Sequence, residues 1–435
     1  MIQISETATI LLMLGFAMFL GLILTRAVRN FGIPAVTAYL VAGLLIGPSL
    51  IGRLGIGFRT FEDVEGFGIL SDVALGFIAF SIGNEFRLTE LRKTGKQATV
   101  VAVVQALGAT VLVDVCLIAV YYIFDLGSSI GIPTCICLGA IATATAPAAT
   151  LMVVNQYKAK GPLTSILLPI VALDDAVGLI VFAISFGVAK AIYSGASIDV
   201  ITVLVNPMLE VAGSLLLGFV MGFIFAELEK WFHSNTRRMG ISITFVLLTV
   251  ALAMVRMEIP GTEIELGFSS LLVCMMLGTV FCNICDFSAD IMDRVDKWTA
   301  PLFVVFFVLS GAELDLSVFS NVTVIAIGVI YIIARSAGKY LGASASARAM
   351  KCDPQVCKYL GITLLPQAGV ALGMSVTVAQ ELGEEGAIIR NIVLFAVLIY
   401  ELFGPMLTKI ALTKAGEITP RPEGQDRSRF APTED

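Results

Sequence analysis

Histidine is almost absent from this chain, with His233 the single example in 435 residues, and tryptophan occurs twice. Charge is scarce as well, at 14% of positions, whereas soluble domains carry about 25%. A water-soluble globular fold is thereby excluded. The net charge of −6 offers no basic surface, so nucleic acid is not an expected partner. No Gly-x-x-x-x-Gly-Lys-Ser/Thr phosphate loop is present, which removes an ATP-driven cycle and a nucleotide partner. A Thr-Val-Gly-Tyr-Gly filter of the potassium-channel type is missing too. With its one histidine in a polar loop, a histidine proton relay inside a membrane is ruled out. Cysteine is thinly scattered over eight positions. The Cys282/Cys285 spacing has no histidine nearby and reads as packing rather than as a metal or redox pair. Without a metal-ligand cluster or a nucleophile–base pair, the expectation is no catalytic residue, no resident cofactor and no enzyme.

What is abundant is apolar surface. Apolar residues fill 57% of positions and the mean hydropathy is +0.92. A bilayer core of ~30 Å needs ~20 such residues per helix. The sequence then predicts an all-α polytopic membrane protein with thirteen spans, near 8–25, 34–51, 66–83, 97–124, 131–154, 162–190, 203–226, 239–257, 266–285, 298–316, 321–343, 355–380 and 389–413. Residues 1–413 form the membrane domain and 414–435 a short polar tail. The first span lacks a preceding Lys or Arg and is followed by Arg26 and Arg29, the reverse of a cleavable signal. Loops after odd-numbered spans, with the tail, hold 21 of the 28 Lys and Arg; the other side holds 5, and Arg335 and Lys339 lie within span 11. By the positive-inside rule the N-terminus is outside and the C-terminus cytoplasmic, as in a multi-pass cell-membrane protein.

Two short motifs recur seven spans apart. Span 3 ends Gly83-Asn-Glu85-Phe-Arg-Leu88 and span 10 ends Gly311-Ala-Glu313-Leu-Asp-Leu316. Span 5 carries Leu138-Gly139 and span 12 carries Leu360-Gly361, each ahead of a proline segment. Seven is odd, so paired spans run oppositely through the membrane. That predicts two inverted-topology repeats, spans 1–6 and 8–13, with span 7 as connector.

Polar groups inside the spans point to chemistry. Asp174 and Asp175 stand in the middle of span 6, where an ionisable residue costs at least ~2.5–3.5 kcal/mol. Neighbouring positions on a helix are ~100° apart, so the two carboxylates address different partners. Two adjacent buried carboxylates cannot both ionise cheaply without a cation, which is the chemistry of protons competing with a metal ion. Lys339 and Arg335, one turn apart on span 11, share a face. An intramembrane lysine needs an anion, and Asp174 or Asp175 is the candidate. Arg335 either pairs likewise or holds helix-end carbonyls. In span 5, Pro147 clashes with the carbonyl four residues back, that of Thr143. The freed carbonyls, with the hydroxyls of Thr143 and Thr145, are hard oxygen ligands for a small alkali cation. Pro366, Gln367 and Gly369 offer the matching break in span 12. Asp114 and Glu401 read as structural acids with proton carriage as the alternative, and Glu85 and Glu313 as span ends. Glu227, Glu229, Asp290, Asp293 and Asp296 read as solvated loop acids.

Taken together these residues resemble the cation:proton antiporter superfamily, in its NhaA/NapA-like sodium/proton branch with an aspartate pair. The likeness runs along nearly the whole chain. Ala38-Tyr-Leu-Val-Ala-Gly43-Leu-Leu-Ile-Gly47-Pro48 resembles that superfamily's Tyr-Leu-x-x-Gly-x-x-x-Gly-Pro signature. Asp174-Asp175 matches the aspartate pair and Gly338-Lys339-Tyr-Leu-Gly342 the lysine motif. The resemblance implies that Asp175 binds the cation, that Asp174 pairs with Lys339, and that spans 5 and 12 are discontinuous and cross. It also implies a homodimer in lipid, with a dimer subdomain from spans 1–3 and 8–10 and a moving core from spans 4–6 and 11–13. Sodium or lithium and protons would be the transported ions, with potassium/proton exchange the alternative. One departure is present: the electroneutral branch has Asn-Asp in span 6, Thr-Asp-Pro in span 5 and an arginine in span 11. Here span 5 reads Thr145-Ala146-Pro147, and Arg335 stands beside Lys339. Branch membership therefore rests on Asp174 and Lys339.

Overall fold

Long apolar stretches without proline fold as unbroken helices because every backbone group is satisfied within the segment, the requirement a bilayer imposes. The computed structural model describes residues 6–28, 33–54, 57–84, 88–123, 130–194, 206–255, 257–258, 265–314, 316–317 and 321–418. Sixteen helices make up these residues, with one two-residue hairpin, Met257–Glu258 against Glu265–Leu266. The first half runs α1 (Glu6–Val28), α2 (Ala35–Ile46), a short α3 (Phe61–Glu65), α4 (Gly68–Asn84), α5 (Leu88–Ile123), α6 (Ile132–Ile141), α7 (Pro147–Tyr157) and α8 (Pro162–Ser194). After α9 (Asn206–Glu229) come α10 (Asn235–Ala253), α11 (Ser270–Ile284), α12 (Ser288–Ala312), α13 (Val322–Ala349), α14 (Pro354–Thr363), α15 (Gly369–Glu381) and α16 (Gly383–Lys414).

Eight of these helices are long and apolar enough to cross a membrane: α1, α5, α8, α9, α10, α12, α13 and α16. Each predicted span falls on one helix, except spans 5 and 12, which are the pairs α6/α7 and α14/α15. Predicted boundaries differ most where helices continue past the apolar stretch. The helix α12 starts at Ser288 rather than 298, and α5 at Leu88 rather than 97. Hydropathy marks the lipid-facing length of a helix, whereas hydrogen bonding sets its ends. Glu85 lies outside the described residues.

Two of the buried clusters lie in different halves of the bundle. One joins α5, α6, α8, α13, α15 and α16 around Leu138, Tyr331 and Phe395. Another joins α4, α9, α10, α11 and α12 around Phe80, Phe225 and Phe281, the last two stacked with centroids 4.4 Å apart. Large apolar side chains face outward on α1 (Leu11, Leu12, Phe19) and α9 (Leu216, Phe219, Phe223), the pattern lipid demands rather than water.

Small residues set the closest helix crossings. A Cβ at Gly43 on α2 would stand 1.9 Å from the Val308 carbonyl of α12, and one at Gly311 would stand 2.1 Å from the Leu40 carbonyl. The same reciprocal contact joins α4 to α11, where Gly83 meets the Met275 carbonyl at 1.9 Å and Gly278 meets that of Phe80 at 2.2 Å. Any side chain at these four positions forces the backbones apart.

Candidate functional site

Proline decides where the two broken helices stop. Pro147 cannot donate to the turn before it and disfavours helical geometry at Ala146, which is extended at φ −81, ψ 104. Thus α6 ends at Ile141, residues 142–146 are non-helical, and Pro147 opens α7. Pro366 lies likewise in the 364–368 gap between α14 and α15. The breaks cross and bond to each other: the Ala146 amide donates to the Pro366 carbonyl at 2.8 Å. Gln367 ties the crossing from its other side, donating to the Ile141 carbonyl at 2.9 Å and to the Tyr331 hydroxyl at 3.0 Å.

A broken helix leaves carbonyls unsatisfied where no water reaches, and here α13 supplies the donors. Arg335 is fully buried and donates to the carbonyls of Ala142 at 3.0 Å, Ala144 at 2.5 Å and Leu365 at 2.8 Å. Its guanidinium also rests 4.5 Å above the Tyr400 ring. Of the two roles open to Arg335 from sequence, it takes the second, holding both breaks at once.

One turn further on, Lys339 is equally buried and donates in three directions. Its ammonium reaches the Thr143 carbonyl at 2.6 Å, the Thr145 hydroxyl oxygen at 2.7 Å and Asp174 Oδ2 at 2.9 Å. The Thr145 hydroxyl in turn donates to Asp174 Oδ2 at 2.5 Å. Three hard oxygens around one positive charge make the kind of cradle an alkali cation uses, and the lysine fills it. The Thr143 hydroxyl turns away to the Ala140 carbonyl at 2.7 Å, so its carbonyl is the contributing atom. Asp175 is 4% exposed, and its Oδ1 accepts no hydrogen bond among the described residues. One carboxylate is therefore neutralised within the protein. Its neighbour is left for a proton or a cation, since a bare buried charge is prohibitively costly.

Every residue singled out from sequence for this site converges here: Asp174, Asp175, Thr143, Thr145, Lys339, Arg335, Pro147, Pro366 and Gln367. Missed was Gln105 on α5, fully buried, whose amide donates to Asp174 Oδ1. A lone amide inside the apolar run Val101-Ala-Val-Val-Gln105-Ala was the available signal. Tyr331, bonded to Gln367, was missed as well. Two acids read as solvated loop residues sit otherwise. Glu229 is fully buried at the end of α9 and accepts from Ser242 at 3.2 Å, because α10 folds back over it. Asp296 is exposed as expected but stands on α12 rather than in a loop, and accepts from Ser81 at 2.8 Å, because that helix extends further than its hydropathy suggests.

A cavity of about 1050 Å³ reaches α8 at Leu168 and Pro169, on the N-terminal side of the aspartates. One wall comes from α1, α2 and α12 (Met18, Tyr39, Asp296, Phe303), the other from α7, α8 and their connection (Met152, Lys160, Thr164, Leu168). Asp175 lies two turns beyond Leu168, ~10 Å further along α8 at 1.5 Å per residue.

A helical membrane bundle with two crossed, broken helices and a charge-balanced aspartate pair where they meet defines a secondary active transporter of small cations. A family model described as "Sodium/hydrogen exchanger, transmembrane" matches residues 15–414. The chain therefore belongs to the sodium/hydrogen exchanger family. Among curated proteins it is similar to "Na(+)/H(+) antiporter NhaS4" of Synechocystis, 25% identical over 93% of this chain and 96% of that one. It is also similar to "K(+)/H(+) antiporter subunit KhtU" of Bacillus subtilis, 22% identical over 85% of each. Its fold is that of the sodium proton antiporter MjNhaP1 of Methanocaldococcus jannaschii, solved at pH 8. The match has a TM-score of 0.67 at 19% identity and covers 94% of this chain and 99% of that one.

Proposed function

We propose that the chain exchanges sodium or lithium for protons across the cell membrane by alternating access, with Asp175 as the carboxylate that holds either ion. The observation that carries this reading is the contrast between the two aspartates. Asp174 is paired with Lys339 at 2.9 Å, while Asp175 is buried beside it with Oδ1 free of donors among the described residues. A cation arriving at Asp175 competes with its proton and, through Asp174, with the lysine ammonium. That charge logic favours the aspartate-pair, NhaA/NapA-like branch. The ions are substrates, and the cycle asks for no resident cofactor and no catalytic residue.

Two further features support the reading. The α2/α12 crossing through Gly43 and Gly311 becomes the α11/α4 crossing through Gly278 and Gly83 when spans are shifted by seven. Likewise Gly139 abuts α5 at Thr110 and Asp114, and Gly361 abuts α13 at Tyr340. Thirteen crossings in two inverted repeats account for both pairs. The cavity holds Lys158, Lys160 and Lys297, which the positive-inside rule assigns to the cytoplasm, with the N-terminus outside. Its walls divide the molecule as a moving core (spans 4–6 and 11–13) would meet a fixed dimer subdomain (spans 1–3 and 8–10). The outward apolar faces of α1 and α9 suit lipid and a second copy of the chain. Potassium/proton exchange is the second reading, favoured by the similarity to the Bacillus subtilis protein.

Proton flux in proteoliposomes with sodium, lithium and potassium in turn tests the proposal. Wild type is expected to respond to sodium or lithium, and Asp175→Asn to give none while remaining folded. Wild-type rates in that variant defeat the assignment, and a response to potassium alone favours the second reading.

A further inference from the structure

Alternating access needs a second approach to the aspartates besides the cavity, and Glu401 on α16 stands beside the crossing of the broken helices. This carboxylate is 6% exposed, eighteen residues into a 32-residue helix, and accepts no hydrogen bond among the described residues. Its neighbours on α16 touch the crossing itself. Tyr400 lies under Arg335, and a Cβ at Gly404 would stand 3.0 Å from Pro366.

Leu314, next to Glu313 at the C-terminal end of α12, packs in one buried cluster with Leu398 and Tyr400, which lie just before Glu401. Glu313 is exposed, as are Glu65 on α3 and Asp72 on α4. The same helix α12 lines the cavity with Asp293, Asp296 and Lys297 near its other end. Sixteen residues, ~24 Å of helix, separate Lys297 from Glu313, so these acids mark the face opposite the cavity. An acid that held helices together would have a donor, and this one has none among the described residues. A largely buried carboxylate with no donor costs stability unless it holds a proton or a cation.

We propose that Glu401 is a transit carboxylate for the exchanged ions, handing monovalent cations between the Asp174–Asp175 site and the face opposite the cavity, with Glu313 as the next acid outward. The proposal rests on the antiport reading above. It separates Glu401 from a structural role, because a transit acid burdens the fold and a structural one supports it.

The test uses oriented proteoliposomes with sodium presented either to the cavity side or to the opposite side. Glu401→Gln is expected to raise the apparent KM for sodium on the opposite side by about tenfold and to leave the cavity-side KM within about twofold. Glu401→Asp should keep most of the wild-type behaviour, and Glu313→Gln should give a smaller shift on the same side. Removing a buried carboxylate that has no donor should also leave the melting temperature in detergent unchanged or higher. Equal shifts on both sides, no shift, or a lower melting temperature for Glu401→Gln overturns the proposal. If the wild type exchanges none of the three cations, the antiport reading fails instead.

Discussion

Lys339→Gln probes the charge balance of the transport cycle. The ammonium is fully buried and donates to the Thr143 carbonyl, the Thr145 hydroxyl and Asp174. Removing one partner of a buried pair costs ~3–5 kcal/mol, so the variant should melt lower in detergent. Asp174 still accepts from Gln105 and Thr145, and the variant has no lysine proton to release. On the proposed reading, a cation settling at Asp175 would break the pair and release the lysine proton together with that of Asp175. Two protons would then move per cation, and one net charge would cross the membrane each turn. At ~2.3 kcal/mol per elementary charge per 100 mV and 1.36 kcal/mol per tenfold, 100 mV adds roughly fiftyfold to the cation gradient the exchanger can hold. Lys339→Gln forfeits that factor, moving one proton per cation. The reversal potential of sodium flux in proteoliposomes under imposed voltage reads it directly. Wild-type exchange that ignores voltage, or a variant that keeps the voltage dependence, refutes the argument.

Arg335→Ala strips three carbonyls of a charged donor, each such bond contributing ~1.5–3 kcal/mol. The expected result is little folded protein in detergent, with Arg335→Lys intermediate, and an alanine variant melting with wild type would contradict the bracing role. Gly278→Val should fail to fold, because its Cβ would meet the Phe80 carbonyl at 2.2 Å, whereas Gly373→Val, with nothing within 4 Å, should be tolerated. Size-exclusion profiles of the two variants side by side decide the point, and identical profiles would mean that the α4/α11 crossing relaxes.

The site was legible from sequence because a membrane makes polar residues conspicuous. Asp174, Asp175, Arg335 and Lys339 stand out against apolar neighbours, and two prolines mark the breaks. The same contrast misled at the margins. Asp296 and Glu229 fall where hydropathy drops, and a drop does not distinguish a loop from a helix that continues out of the bilayer. Gln105 was overlooked because a neutral amide barely lowers the hydropathy of its stretch, although it bonds directly to Asp174. The motif glycines were readable as a repeat, but not their contacts. Which carbonyl faces Gly43 or Gly311 depends on a crossing between segments some 270 residues apart, information no local pattern holds.

The bracing by Arg335 has a consequence for how the protein is made. The Ala142 carbonyl waits for a donor 193 residues downstream, and the Leu365 carbonyl for one that precedes it. At a synthesis rate of ~5–20 residues per second, that interval is roughly 10–40 s. Throughout it the broken α6/α7 segment holds exposed carbonyls that lipid cannot satisfy. Nascent chains ending before residue 335 should therefore keep this segment wet or sheltered by the insertion machinery. The two broken helices are joined only once Leu365, 30 residues beyond the guanidinium, has followed it into place.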